Sequence, residues 1–284
     1  MLTILFDGVA YGMLLFVLAC GLTITLGLMN FINLAHGAFA MVGGYVTVVM
    51  MNRYGLSFYL SLPAAFVLTA ALGALLEATL YRRLYSADHL DQVLFSIGLV
   101  FMAVAGADYL MGGQQQLIQL PPELSGQMQI LGVGVGRYRL FIICVCAVLA
   151  IALQLALAKT RFGSRLRAAV DDRRTALGLG INVSTVFALT FAVGSGLAGL
   201  GGALGTELLG LDPNFPLKFM IYFLIVVAVG GTSTVSGTFV ASLILGIADV
   251  AGKYYVPDAG AFVIYALMIV LLLVRPHGLF SRDG

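Results

Sequence analysis

Long apolar stretches follow one another along almost the whole chain, and they limit its fold more than any other feature. Of its 284 residues, 61% are hydrophobic and only 10% are charged, whereas about a quarter of the residues of a soluble domain are charged. A chain of this kind has too few polar residues to cover its own surface, so its solvent must be lipid. Helices satisfy their own backbone in lipid, and no stretch alternates like a barrel strand. The sequence therefore predicts an all-α, polytopic integral membrane protein.

Nine apolar segments can be separated along the chain. They are residues 9–28, 31–51, 57–81, 92–111, 140–158, 184–206, 219–230, 237–251 and 260–274. Since one crossing needs about 20 residues, we expect about eight or nine transmembrane helices, which form a single transmembrane domain over residues 1–284. The second, seventh and eighth segments are short or interrupted by glycine and polar residues.

The basic residues cluster at three places. Arg82 and Arg83 follow the third apolar segment, residues 159–174 hold six of the fifteen Lys and Arg residues, and Arg275 and Arg282 follow the last segment. Cytoplasmic loops of membrane proteins are enriched in Lys and Arg. Placing all three clusters in the cytoplasm requires two crossings between the first and second clusters and four between the second and third, in agreement with the apolar segments. We therefore expect nine crossings, with the N-terminus outside and the C-terminus in the cytoplasm.

The loop at about 159–182 is the most informative polar stretch. Charged residues mix with helix formers from Gly163 to Leu177, and glycines follow at 178 and 180. This pattern predicts one short amphipathic helix with a glycine stop. Two interpretations stay open from composition alone, an anchor that needs only positive charge and a coupling helix that a soluble motor protein grips.

The segment NFINLAHGAFAMVGGY, residues 30–45, places polar and glycine residues inside an apolar region. Irregular backbone at membrane depth is tolerated only inside the protein or beside a water-filled cavity. Asn33, His36 and Gly37 therefore mark a broken helix, in which Asn33 and His36 either satisfy freed backbone groups or edge a substrate path. Gly230 and Gly231 interrupt a later segment in the same way, and such breaks are typical of a translocation path.

Small residues recur every four residues in the segment 184–206, which predicts helices whose backbones approach closely. The two rows are Gly194, Ala198 and Gly202, and Ser195, Gly199 and Ala203.

The remaining polar residues favour structural roles. Glu77 precedes Arg82 by about one turn, and we expect a structural ion pair between them. Asp108 and Asp249 lie close to outer ends of their segments and are expected to reach the lipid headgroups. The three cysteines lie in apolar segments without a disulfide pattern, and the histidines His36, His89 and His277 are scattered, so we expect no metal, no cofactor and no catalytic residue.

Five blocks of sequence, in order and spread over nearly the whole chain, match one family pattern. The first block comprises Gly21, Leu22, Gly27, Asn33, Ala35, His36, Gly37, Met41, Gly43 and Tyr45, with Gly44 where Ala is usual. The second is LLEATLYRRL at 75–84, with Arg83 in place of Pro, and the third comprises Thr160, Phe162, Gly163, Arg167, Ala168, Asp172, Ala176, Gly180, Ile181 and Asn182. The last two are VGGTSTVSGTFVASLILGIAD at 229–249 and VRPHGLF at 274–280. Together they resemble the permeases of bacterial ATP-binding-cassette importers for branched-chain (hydrophobic) amino acids.

The resemblance implies a transport subunit that works by alternating access in the bacterial inner membrane. It assigns coupling to the ATPase to the loop at 159–182, through Gly163, Arg167, Ala168, Asp172, Ala176 and Gly180. The expected partners are a second, similar permease, two ATP-binding subunits and a periplasmic solute-binding protein, with membrane lipid around the chain and no nucleic acid. The sequence contains no Gly-x-x-x-x-Gly-Lys-Ser/Thr motif. We therefore expect no enzymatic activity here, and ATP hydrolysis on separate subunits.

Alternatives to this hypothesis remain. The same class of permease also serves urea, amides and aromatic acids, so the sequence leaves the cargo open. A protein of a different class, an ion-coupled secondary transporter or channel, would use His36, Glu77 and Asp108 and would transport without an ATPase. An intramembrane enzyme is disfavoured because no nucleophile and base, and no metal cluster, can be assembled from the sequence.

Overall fold

The computed structural model describes residues 1–29, 31–85, 87–130, 132–231, 234–276 and 278–280. Eleven α-helices account for most of this part of the chain. They are α1 (Leu2–Met29), α2 (His36–Asn52), α3 (Phe58–Thr79), α4 (His89–Met111), α5 (Arg137–Lys159), α6 (Arg161–Asp171), α7 (Arg173–Gly178), α8 (Val183–Leu209), α9 (Phe215–Gly230), α10 (Val235–Tyr255) and α11 (Gly260–Val274). One turn of 3₁₀ helix covers Tyr81–Leu84, and the strands β1 (Gln127–Ile130) and β2 (Val133–Gly136) form an antiparallel hairpin.

Each of the nine apolar segments corresponds to one helix, so the prediction of an all-α polytopic membrane protein is confirmed. Six helices within the described residues, α1, α3, α4, α5, α8 and α10, are long and apolar enough to cross a membrane. The apolar helices α9 and α11 are shorter, and α2 has 17 residues. Large apolar side chains on α4 and α5, such as Phe101 and Ile151, are exposed, which is the pattern that lipid requires.

The helix bundle has two distinct ends. The first, which we call the hairpin end, carries β1 and β2 and the start of α1. The second, the basic end, carries α6, α7 and the end of α1. Helix α5 joins β2 to α6 and is about 35 Å long at 1.5 Å per residue, so the two ends lie about one membrane thickness apart.

Basic residues are unequally divided between these ends. The described ones at the basic end are Arg82, Arg83, Lys159, Arg161, Arg165, Arg167, Arg173, Arg174 and Arg275. Those at the hairpin end are Arg53, Arg137, Arg139, Lys218 and Lys253. Arg282 lies outside the described residues. The described members of the three predicted basic clusters therefore share one end of the bundle.

Helix α8 is the packing centre, because it contacts α1, α2 and α3 along its length. Small residues bring these backbones together, as the rows in its sequence predict. A methyl group added to Gly43 would overlap the backbone of Gly199, and one added to Gly202 would overlap the backbone of Ala40. Helix α10 packs on the other side of α1, where Gly246 lies against Gly12. Glycine at these positions therefore sets the distances between the central helices.

The close approach of α8 and α2 makes Gly202→Ala destabilising. The new methyl group must push the Ala40 backbone away, and overpacking of this kind costs about 1–3 kcal/mol. We expect a lower unfolding temperature and less monodisperse protein in detergent. The matched control is Gly106→Ala on α4, where an added methyl group meets open space. Equal unfolding temperatures for the two variants would contradict this account of the packing.

Candidate translocation path and coupling segment

The chain breaks and turns back between α1 and α2. After α1 ends at Met29, the Phe31 amide donates to the carbonyl of Thr25 at 3.3 Å. The ring of His36, the first residue of α2, lies with Nε2 2.8 Å from the carbonyl oxygen of Leu18. Leu18 is three turns, about 16 Å at 1.5 Å per residue, before the end of α1. Helix α2 therefore begins deep inside the bundle and not at the basic end.

Polar side chains hold this break in place. Asn33 Oδ1 accepts a hydrogen bond from the Tyr81 hydroxyl at 3.0 Å, and the Ile32 amide donates to Gln92 Oε1 at 3.2 Å. A carbonyl oxygen can only accept, so the bond to Leu18 requires a proton on Nε2 of His36. Asn33 and His36 are both buried. Each has a hydrogen-bond partner inside the protein, the Tyr81 hydroxyl for Asn33 and the Leu18 carbonyl for His36.

Gly37 allows α2 to begin against α9. A methyl group on Gly37 would lie 3.1 Å from Cα of Pro216, in the first turn of α9. Further along α9, the ring of Phe223 meets the ring of His36 edge to face, with centroids 6.4 Å apart. The start of α2 is therefore enclosed by α1, α8 and α9.

The second glycine break lies elsewhere. Helix α9 ends at Gly230, and Gly231 adopts a positive φ of 86°. The amide of Leu279 closes this turn by donating to the carbonyl of Val229 at 2.8 Å. Phe223, which faces His36, precedes Gly230 by about two turns, or 10 Å of helix. The structure therefore places Gly230 and Gly231 at the basic end, apart from His36.

The basic segment between α5 and α8 contains two helices, α6 and α7, so the expectation of one helix from Gly163 to Leu177 is wrong. Asp172 separates them, because its carboxylate accepts from the amides of Arg174 and Thr175 at 2.9 and 3.0 Å and caps α7. The Thr175 hydroxyl, also a donor to this carboxylate, and the Thr175 amide keep the pKa of Asp172 below its usual value. Side-chain bonds of this type compete with helix continuation.

Family-motif residues attach this segment to the membrane helices. Gly163 lies against the backbone of Leu157 in the last turn of α5, and Arg167 Nη1 donates to the Leu157 carbonyl at 2.5 Å.

Ala176 is buried in a small cluster with Ala169 and Val183. Ala168, half-buried, accepts from the Asp172 amide at 3.2 Å. The left-handed residue Gly180, at φ 79°, leads into α8. Motion of α6 and α7 would thus be passed to α5 and α8.

Sequence reasoning missed the exposed tip of this segment. Leu177 and Leu179 are 55% and 74% exposed at the basic end. Most exposed apolar residues of this chain lie on membrane helices, but these two lie beyond them, next to Arg173 and Arg174. We call Leu177 and Leu179 the apolar tip. In the sequence, the apolar tip is indicated only by two leucines that alternate with the glycines at 178 and 180.

Glu77 lies near the basic end as part of a buried polar group. Its Oε2 is 2.8 Å from Arg82 Nη2, and its Oε1 accepts from the Tyr85 hydroxyl at 3.0 Å. The Glu77 side chain is fully buried whereas Arg82 is 45% exposed. The geometry is that of an ion pair which neutralises a carboxylate at the edge of the bundle.

A cavity of about 490 Å³ with charged and apolar lining residues opens at the hairpin end. We call it the hairpin-end cavity, and its wall includes Asp7, Tyr11, Arg139, Leu208, Leu209, Lys218, Phe219, Tyr222, Asp249, Val250 and Lys253. The expectation that Asp249 reaches the headgroups is wrong, since it is buried, with 1% exposure. Asp108, in contrast, is exposed. The sequence signal for this cavity was the presence of acidic residues in the apolar helices α1 and α10.

Comparisons with known proteins agree over nearly the whole chain. A family model described as branched-chain amino acid transport system / permease component matches residues 4–272. A probable branched-chain amino acid transport permease protein, LivH of Methanocaldococcus jannaschii, is 30% identical over 299 residues, with 99% of this chain and 92% of the relative covered. The high-affinity branched-chain amino acid transport system permease protein LivH of Salmonella typhimurium is 27% identical, with 98% and 94% covered. LivM of the same organism, also a permease protein of that system, is 23% identical, with 94% and 68% covered. No solved structure matches the chain.

Proposed function

The chain belongs to the family of branched-chain amino acid transport permeases of ATP-binding-cassette importers, and we propose that its cargo is a branched-chain or related amino acid. The observation that carries this proposal is the match of the family model to residues 4–272, together with relatives that are named for this transport and covered over almost their full length. The chain is a multi-pass transport subunit, and the cargo would cross by alternating access.

The proposed assembly contains other chains. Two ATP-binding subunits would supply the energy, since this sequence lacks a phosphate-binding loop. A second permease would complete the membrane part, and the similarity of the chain to both LivH and LivM of Salmonella typhimurium supports such a pair. A periplasmic solute-binding protein would deliver the cargo.

The proposed orientation has the basic end in the cytoplasm and the hairpin end outside. Nine described Lys and Arg residues lie at the basic end and five at the hairpin end, and cytoplasmic loops carry the excess of basic residues. The N-terminus is then outside, the C-terminus is inside, and the hairpin-end cavity faces the solute-binding protein.

The proposed contact with the ATP-binding subunit is the segment of α6 and α7, with the apolar tip at its centre. Arg167 and Asp172 use their side chains within the segment, so they fix its shape. Leu177 and Leu179 point away from the protein and are able to enter a pocket of the motor. A motor that binds this tip differently in its two nucleotide states would shift α5 and α8, and only such differential contact can drive the change.

The proposed function is tested by uptake into proteoliposomes that contain the chain with its ATP-binding subunits, second permease and solute-binding protein. We expect uptake of leucine, isoleucine and valine to require ATP inside the proteoliposomes, on the side of the ATP-binding subunits. Uptake should be independent of ion and proton gradients. The control is a complex whose ATP-binding subunits cannot hydrolyse ATP. Uptake by the chain alone, driven by a gradient, would contradict the proposal and favour a secondary transporter.

The coupling role is tested by replacing both leucines of the apolar tip with serine, Leu177→Ser and Leu179→Ser. Because the tip is exposed, we expect an unchanged unfolding temperature. Loss of two interface side chains, each worth about 1–2 kcal/mol, should lower ATP-dependent uptake about tenfold or more and weaken association with the motor. Tyr54→Ser is the matched control for association with the motor, since Tyr54 is 71% exposed at the opposite end. Normal uptake by the double variant would refute the assignment.

A further inference from the structure

Asp249 is the buried carboxylate of the hairpin-end cavity, and one of its oxygens is left without a partner. Oδ2 lies 2.5 Å from Lys253 Nζ, one turn further along α10. Oδ1 is buried, and no described residue donates a hydrogen bond to it. An unsatisfied buried oxygen is costly, above all on a charged group. Asp249 lines the cavity wall, and its carboxylate therefore keeps one acceptor position that no described residue fills.

Three cationic side chains, those of Arg139, Lys218 and Lys253, line the same cavity. The side chains of Lys218 and Lys253 are about half exposed, 56% and 50%, and Lys218 also pairs with Asp212. Arg139 Nη1 pairs with Asp7 at 2.5 Å, and a guanidinium has five N–H groups. The cavity wall thus combines a buried carboxylate with cationic donors that are more exposed. A ligand that bears both an ammonium and a carboxylate matches this polarity.

The remaining wall is suited to an aliphatic group. Leu208, Leu209, Phe219 and Val250 line it, beside the rings of Tyr11 and Tyr222. The Lys253 ammonium lies 5.7 Å from the centroid of the Tyr11 ring, so that ring already faces a cation next to Asp249. A volume of about 490 Å³ is within the range of small-molecule sites, about 300–1,000 Å³.

We propose that the hairpin-end cavity is a binding site for an α-amino acid zwitterion on this chain, and that Asp249 Oδ1 accepts a hydrogen bond from its ammonium group. The carboxylate lies toward Arg139 and Lys218, and an aliphatic side chain lies against Phe219 and Val250. The inference rests on the proposed function for the identity of the cargo, and it adds the residues that receive this cargo from outside.

The test measures binding to the purified full chain in lipid nanodiscs. The probes are leucine, 3-methylbutylamine, which lacks the carboxylate, and 4-methylpentanoate, which lacks the ammonium. Dissociation constants follow from the rise in unfolding temperature with ligand concentration. In Asp249→Asn we expect leucine and 3-methylbutylamine to bind about tenfold more weakly, as loss of a charge-assisted hydrogen bond predicts, whereas 4-methylpentanoate binding does not weaken, because the same change also frees Lys253 from its ion pair.

The matched control is Asp258→Asn, which makes the same chemical change at an exposed residue of the hairpin end and should alter none of the three constants. Unchanged leucine binding in Asp249→Asn overturns the site, as does an equal loss for all three probes, which would report a distorted cavity. If Asp249→Asn does not fold, the parent chain decides, because 3-methylbutylamine must then bind more tightly than uncharged 3-methylbutanol. Equal binding of those two overturns the site.

Uptake by the assembled complex separates this inference from the proposed function. ATP-driven leucine uptake together with unchanged leucine binding in Asp249→Asn overturns the site and leaves the proposed function in place. Leucine binding that depends on Asp249, without ATP-driven leucine uptake, supports the site and overturns the proposed function.

Discussion

Close packing of α8 against α1, α2 and α3 determines where the other parts of this molecule lie. In lipid no hydrophobic effect pulls helices together, so they associate through van der Waals packing and hydrogen bonds. Glycine removes the side chain at the points of contact, as where Gly43 meets Gly199 and Gly202 meets Ala40. The same helix α8 is continuous with the loop from α7, and α5 holds α6 through Leu157. The central packing and the basic segment are therefore mechanically joined.

The break before α2 depends on this packing. A chain that turns back inside a membrane exposes backbone groups that must find partners, and here the Thr25 carbonyl and the Gln92 side chain accept from the amides of Phe31 and Ile32. Asn33 and His36 are thereby committed to contacts with Tyr81 and α1. Two buried carboxylate oxygens that receive no hydrogen bond from a described residue, Oδ1 of Asp249 and Oδ1 of Asp7, belong instead to residues of the hairpin-end cavity. This contrast separates polar side chains that hold the break from the cavity carboxylate for which we propose a ligand.

Much of the fold could be predicted from the sequence, because lipid imposes long apolar helices whatever their partners. The segment at 140–158, for example, lies inside α5, and the family pattern around Gly163 identified the basic segment. Three features could not be predicted. The depth at which α2 begins depends on a bond between Asn33 and Tyr81, 48 residues apart, and the split at Asp172 depends on a side-chain cap that competes with the helix. The hairpin-end cavity assembles residues from five helices that no local pattern connects.

Alternating access requires that the hairpin-end cavity change its exposure when the motor changes its nucleotide state. The direct measurement is the rate at which a membrane-impermeant maleimide, added from outside, modifies a cysteine at Val250 in the assembled complex, with Cys20, Cys144 and Cys146 replaced by alanine. The account predicts that the cysteine reacts from the outside, at rates that differ about tenfold or more between the nucleotide-free and the ATP-trapped complex. The rates differ because the cavity is closed to the reagent in one of the two states. Equal rates in the two states, or reaction from the cytoplasmic side alone, would contradict it.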